Sequence, residues 1–462
     1  LAGNGHRLRE SRYDSGLGVS ANMRVGVAAV DYTPKPGLPL MGNYRTDYAA
    51  RGVHDPLCAR ALVFEDAAGH KAALLSVDIC MMDRANVALI RDVAARGCSV
   101  PPSNLLVAST HTHSGPASMG LGALPKAADS DVEQFLTKAA QAVIRADSGL
   151  RPATLRAGSA EETRVSFNRR LLCRDGQTHM NWENLDPDFV VRPLGPIDSH
   201  LSTLVVEEDG APRAAAVNFP LHAAVLAGDN WLYSADWPGY LYAGMSQLYG
   251  DSFVTAFFNG CAGNINQLDY TDPKQGRGFK MNERIGSMLA LDAAQALTAS
   301  TPVEGDRLAV SSERVTLPRI PISEEERRWC EEVIERQHSS PEPGQVDGLP
   351  DAYWAITRLG MYQKQGADDR VEVMVLRVGD VGIVGLPGEI FCEFGMDIRN
   401  SSPARHTLVV ELANDAIGYI PTRPSFDQGG YEPTPGATFY LPGAGDRLAD
   451  SALRQLRTLF KD

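Results

Sequence analysis

Short apolar runs alternate with longer, helically spaced stretches through the first two-thirds of the chain, and this alternation narrows the choice of fold more than any other feature. Residues 24–30, 61–64, 72–77, 105–108, 214–219 and 253–258 are strand-type runs. Between them, residues 84–95, 131–146 and 281–297 space their apolar side chains at the helical period. The last of these is also rich in Ala and Leu, the best helix formers. Such an order predicts an α/β fold of layered sheets covered by helices. After a pause at 300–305, read as a loop inside one unit, residues 308–317 resume a strand. Ser323-Glu324-Glu325-Glu326 is a capping-box signature that opens a helix running to Arg336. A Ser/Pro/Gly/Asp-rich loop is expected over 338–350, a hairpin around Gly379-Asp380 joining 371–378 to 381–386, and a strand over 407–412.

A chain of 462 residues can bury a large core, and 44% hydrophobic with 22% charged residues is ordinary globular composition. The formal charge of −13 disfavours nucleic-acid and anionic-membrane partners. No apolar run approaches the ~20 residues of a spanning helix, so a soluble protein without a transmembrane segment is expected. Seven scattered cysteines without a C-x-x-C pair give no disulfide framework and suit a reducing, cytoplasmic setting. Residues 1–22 are polar and lack the apolar core of a secretory signal, and are read as a disordered leader or an artefact. Met23 is then an alternative start; a removed signal peptide stays open, because the chain does not begin with Met.

The run 105–108 breaks into Ser109-Thr110-His111-Thr112-His113-Ser114-Gly115-Pro116, a strand entering a loop. Two imidazoles spaced i, i+2 there point to one side, and neutral imidazole serves both as metal ligand and as proton-transfer or oxyanion group. Histidines bonded to backbone are the plainer alternative. His222 follows the strand that ends Asn218-Phe219, and Glu389 follows the Gly385-Leu386-Pro387-Gly388 turn. Taken singly, the first reads as a core histidine and the second as a helix-terminal carboxylate complementing the macrodipole. Tyr419 and Tyr431 flank a Pro/Gly-rich loop, and Arg169-Arg170 reads as a solvated pair.

Together these segments resemble the neutral/alkaline, non-lysosomal ceramidase family. The resemblance rests on His-Thr-His-Ser-Gly-Pro at 111–116, Asn168-Arg169, His222, Pro387-Gly388-Glu389 and Gly418-Tyr419. It continues with Tyr431-Glu432 twelve residues after Tyr419, and Met41-Gly42 resembles the family's Met-Gly-Tyr segment. It implies one zinc-hydrolase domain over 23–462, with zinc held by His111, His222, Glu389 and Tyr419. His113, Arg169 and Tyr431 would line the reacting carbonyl. The implied chemistry is hydrolysis of an amide in a small-molecule or lipid-like N-acyl compound by a metal-activated water.

Two segments depart from the family pattern. Its members carry a C-terminal immunoglobulin-like domain of ~100 residues, whereas 31 residues follow Tyr431 here. The family's Gly-Asp-Val-Ser-Pro-Asn appears as Gly263-Asn264-Ile265-Asn266-Gln267-Leu268, which removes a serine nucleophile at Asn266. Cys261 in its tight turn reads as a packed thiol. These departures predict weak activity on ceramide in membranes and better activity on soluble N-acyl compounds. An ester or a small polar N-acyl sugar or amino-acid derivative is the alternative substrate. A non-catalytic protein retaining the fold is the third reading, and the complete set of site residues argues against it.

Overall fold

The computed structural model describes residues 23–45, 47–122, 124–183, 185–272, 274–337 and 349–461. The leader expected over 1–22 and most of the loop expected over 338–350 lie outside the described residues. Eight strands make the body of a large sheet: β1 (Met23–Asp31), β2 (Cys58–Glu65), β3 (Lys71–Val77), β4 (Leu105–Ser109), β5 (Arg151–Glu161), β6 (His200–Glu208), β7 (Ala211–Phe219) and β8 (Val254–Asn259). Their spatial order is β8-β7-β6-β5-β1-β2-β3-β4, with Thr301–Pro302 also paired to β5. A second sheet holds β9 (Leu308–Leu317), β10 (Asp369–Val378), β11 (Val381–Gly385) and β12 (His406–Val410), in that order.

Nine helices accompany these strands among the described residues: α1 (Arg84–Gly97), α2 (Asp129–Ser148), α3 (Trp237–Tyr249), α4 (Phe279–Thr298), α5 (Glu324–Gln337), α6 (Asp351–Gln363), α7 (Cys392–Ser401), the short α8 (Arg423–Gln428) and α9 (Ala444–Leu459). Three strand pairs are parallel, β3–β4, β7–β8 and β11–β12. A parallel pair needs a crossover, and α1, α3 and α7 supply the three. Each crossover leaves one strand end free to carry a ligand, a placement typical of α/β sites.

The two sheets stack face to face and helices cover both outer faces. Strands in the middle of such a sandwich are buried on both sides, and so read as continuous apolar runs whose alternate residues enter different cores. In β4, Leu105 and Val107 join the helix-side core of α1 and α2, while Leu106 and Ala108 enter the core between the sheets. Met374, Leu376, Ile383 and Leu408 meet them there from the second sheet. Beyond the second sheet, Val373, Val375 and Val384 pack against α9 through Leu448 and Leu456. Val303, in the pause at 300–305, is buried in the core between the sheets. The α/β layering expected from the sequence is therefore observed.

Several boundaries differ. The strand expected over 407–412 stops at Val410 because Leu412 adopts φ 49, outside the β region. Strands β5 and β6 were not anticipated, since Arg-bearing alternation in β5 and a short apolar stretch in β6 hide them. The capping box forms as read: Glu326 N–H donates to Ser323 Oγ (3.1 Å), and Ser323 N–H to Glu326 Oε2 (2.9 Å). Among the described residues no helix is long and apolar enough to cross a membrane.

Two glycines let helices sit directly on the large sheet. A Cβ on Gly26 would lie 1.8 Å from the Ala146 carbonyl oxygen of α2, and one on Gly158 would lie 2.1 Å from that of Ala296 in α4. Backbone cannot yield as a side chain does, so Gly26→Ala should cost at least the roughly 1–3 kcal/mol typical of overpacking. Urea unfolding checks this; an unchanged midpoint would contradict the close packing.

Candidate active site

His111, His222 and Glu389 each lie just past the C-terminal end of a strand, β4, β7 and β11 respectively. The two sheets are joined at this end. Ala108 bridges Ala413, Ser109 N–H donates to the Leu412 carbonyl (3.2 Å), and Glu411 N–H to that of Asn259 (3.0 Å). His111 adopts φ 69, a left-handed conformation that costs of order 1–3 kcal/mol for a residue with a side chain. This turn, and not the strand pleat, aims both histidines of the His-x-His motif inward. Glu389 is admitted by Gly263, where a Cβ would lie 2.5 Å from the Glu389 carbonyl oxygen.

The three side chains are buried and their ligand atoms all lie within 4.8 Å of one another. Glu389 Oε2 is 3.4 Å from His111 Nε2 and 3.3 Å from His222 Nε2. Oε2 has no hydrogen-bond partner. Each Nε2 is oriented through the opposite ring nitrogen: His111 Nδ1 donates to the Cys80 carbonyl and His222 Nδ1 to that of Ala262, both at 2.9 Å. A carbonyl only accepts, so both Nδ1 atoms carry the proton and both Nε2 lone pairs face Glu389. Four donors about 2.1 Å from a tetrahedral zinc stand about 3.4 Å apart, and the observed spacings match that edge. The donor set therefore fits zinc.

Electrostatics agree with a cation at the centre. Burial, reinforced by Arg169, lowers the His222 pKa to about 4, leaving a neutral imidazole. Burial alone would raise Glu389, but His111 and His222 hold it well below the usual carboxylate range. Against the same burial penalty, Cys80 and Glu389 raise His111.

Tyr419 is the parallel cross-strand partner of Glu389, and burial together with the Glu389 charge raises its pKa well above the usual value. Its ring lies 5.5 Å from that of Tyr431, which follows Gly429 and Gly430 at φ 72 and 92. His113 Nε2 is 3.3 Å from His111 Nε2, but its Nδ1 is buried without a partner, so His113 lacks the carbonyl anchor of the other two. Burial and the neighbouring imidazoles depress its pKa well below the usual value. Arg169 Nη1 lies 3.2 Å from His222 Nε2. All seven residues singled out in the sequence thus meet in one place.

The Arg169-Arg170 pair is not solvated. Both guanidinium groups are buried on Glu432, through Arg169 Nε to Oε1 (2.7 Å) and Arg170 Nη1 to Oε2 (2.6 Å). Burial would raise the Glu432 pKa, but the two arginines hold it below the usual range. Sequence reasoning missed this role; the only signal was adjacency to Tyr431. Cys261 is buried and its thiol pKa is raised well above normal by burial, as a packed residue should be.

Two cavities open at the cluster and share Gly42, His113, Tyr419 and Tyr431. The first, of about 310 Å³, is walled by Met81, Leu121, Phe439 and, from α6, Tyr353, Ile356 and Met361. The second, of about 330 Å³, runs past Arg169, Trp182, Asn266, Gln267 and Arg277.

Purified protein should hold about one divalent metal per chain at an open site. His222→Ala or Glu389→Ala should lose it while His113→Ala keeps it, measured by elemental analysis after dialysis. Full occupancy in both ligand variants would dismiss the assignment. Glu432→Ala should destabilise by about 3–5 kcal/mol by leaving two buried guanidinium groups unpaired. The same truncation of Asp446, which pairs with Arg423 at the surface, should cost less than about 1 kcal/mol. Equal effects in parallel denaturation curves would contradict the buried ion pair.

With this geometry in place, comparison with known proteins is specific. The family model for the N-terminal part of neutral/alkaline non-lysosomal ceramidases matches residues 23–274. Neutral ceramidase of Pseudomonas aeruginosa is 26% identical over 91% of this chain and 69% of its own length. Neutral ceramidase B of Dictyostelium discoideum is 26% identical over 53% of this chain, a match that spans 36% of that relative. The crystal structure of the Pseudomonas aeruginosa enzyme aligns with TM-score 0.73 at 22% identity, covering 96% of this chain and 75% of that one. A ceramidase complexed with C2 aligns with TM-score 0.71 at 22% identity, covering 94% and 74%. The match over more than half the residues assigns the chain to the neutral/alkaline non-lysosomal ceramidase family.

Proposed function

We propose that this protein hydrolyses the amide bond of an N-acyl compound, with zinc held by His111, His222 and Glu389 and with Tyr419 as a weaker fourth ligand. The observation that carries this reading is the trio of ligand atoms within 4.8 Å, two of them on imidazoles already locked by backbone carbonyls. Membership of a family whose relatives are called neutral ceramidases supports an amide over an ester, since ceramide is itself an N-acyl compound.

When bound, zinc polarises a carbonyl and brings the pKa of water toward about 7. The chain's own residues do the rest. A carbonyl placed between the two cavities has its acyl and amine halves pointing opposite ways, which orients the scissile bond. His113, kept neutral by burial and its imidazole neighbours, is an N–H donor for the carbonyl oxygen as charge develops there. Tyr431, on the wall of both cavities, is placed to donate to the same atom. Preorganised donors of this kind give among the largest catalytic contributions. Arg169 adds a fixed positive charge, and Glu432 holds it in orientation.

Fatty-acid release from N-dodecanoyl amides and dodecanoyl esters, followed by mass spectrometry, tests the reading. Amide cleavage should stop on chelation and return with zinc. His113→Ala should retain metal but lose roughly 10²–10³ in kcat/KM. Tyr431→Phe should lower turnover with little change in thermal stability. Activity confined to esters, or undiminished in metal-free protein, would overturn the proposal.

A further inference from the structure

The second cavity has an electrostatic character opposite to that of the chain. The protein has 57 acidic against 44 basic residues, yet among the described residues this cavity is lined by two guanidinium groups, Arg277 and the Glu432-paired Arg169, and by no carboxylate. Two polar atoms in its wall are also buried without a hydrogen-bond partner, Arg169 Nη2 and Gln267 Oε1, and Gln267 as a whole is 7% exposed. Neighbouring Asn266 is not in that position, because it exchanges side-chain hydrogen bonds of 2.7 and 2.8 Å with Asn181. The first cavity has a different charged lining. Glu389 contributes to its lining, together with Lys364 and with Arg319, which is paired with Asp369.

We infer that the second cavity receives the amine half of the substrate and that this half carries a carboxylate, so that the substrate is an N-acyl amino acid. The inference rests on the amide-hydrolase reading above and narrows it. Guanidinium is the side chain best matched to a carboxylate, by charge and by its planar set of donors. Arg277 is exposed and sits where an incoming anion meets the cavity; Arg169 is buried next to the reaction centre. Gln267 Oε1 requires a donor, which the amide N–H of the substrate provides. An acyl chain has apolar side chains to pack on in the first cavity, at Met81, Leu121, Ile356, Met361 and Phe439. Hydrolysis then adds water across the C–N bond: hydroxyl goes to the acyl carbon, the proton to the departing nitrogen, and a fatty acid and a free amino acid leave.

The test pairs N-dodecanoylglycine with N-dodecanoylglycinamide, which share chain and scissile bond and differ in the terminal charge. The zinc-loaded enzyme should favour the carboxylate at least tenfold in kcat/KM, expressed mainly in KM. Calorimetry with the uncleavable analogues N-dodecylsulfonylglycine and its carboxamide should give the same tenfold preference in binding. Arg277→Ala should narrow both differences to under threefold. Equal handling of the two compounds, an unchanged preference in Arg277→Ala, or faster cleavage of ceramide than of N-dodecanoylglycine would overturn the inference while leaving amide hydrolysis intact. Binding preference without cleavage of any amide would overturn the hydrolase reading instead, and would support the carboxylate pocket.

Discussion

One buried carboxylate holds the parts of the site in register. Glu411, fully buried, accepts from Asn259 Nδ2 at 3.2 Å and from Ile390 N–H at 2.8 Å. Asn259, at the end of β8, also accepts from Leu221 N–H at 3.2 Å through Oδ1. The backbones beside His222 and Glu389 are therefore both tied to the Asn259–Glu411 pair, across the two sheets. Burial pushes the Glu411 pKa up to about 8, which shows how little solvent compensates this group. The cluster of His111, His222 and Glu389 depends on the stacking of two sheets because its side chains come from both.

Placing ligands at strand ends concentrates strain there. His111, Leu412 and Asn414 all have positive φ, at 69, 49 and 65, and all lie where the large sheet meets the second. Non-glycine residues hold such conformations only when their surroundings over-determine them, at a cost of order 1–3 kcal/mol each. Asn414 shows how. Its Oδ1 accepts from Val107 N–H at 2.9 Å and its own N–H donates to the Val107 carbonyl at 2.8 Å, so its side chain and backbone complete the edge of β4. The apolar core between the sheets offsets the cost, and the site inherits the rigidity of that core.

The same physics decides what could be read from the sequence. Strands buried on both faces give unbroken apolar runs, and these were legible in β2, β3, β4 and β7. Strand β5 interleaves Arg151 and Arg156 with buried positions, and its pattern is lost. The turn after β6 did leave a sign, Asp209-Gly210 at φ 53 and 79, the signature of a two-residue hairpin. Helix α9 was also missed, although its buried residues recur at helical spacing: Leu448, Ala452, Leu456 and Leu459. At the site, the ligand types and their strand-end positions were visible, whereas Glu432 and Glu411 were not. Their function is to pair with groups distant in sequence, Arg169 and Asn259, and no local pattern encodes such a contact.

The wall of the first cavity is built differently from the His111–His222–Glu389 cluster. Helices α5 and α6 form an insertion between the paired strands β9 and β10, packed together through Cys330, Val333, Ala352 and Ala355. Only one face of α6 reaches the site, where Tyr353 and Trp354 pack with Tyr419 and Ala437. Strands β9 and β10 pair over their full length, from Leu308 opposite Val378 to Leu317 opposite Asp369, and the insertion adds a wall beyond the end of that ladder. The positions of His111, His222 and Glu389 are thus fixed by strands and the sheet interface, while the shape of the first cavity is set in part by α6. Changes along α6, at Ile356 or Met361, alter the volume of the first cavity and leave the ligand spacings of 3.3 and 3.4 Å where the sheets put them.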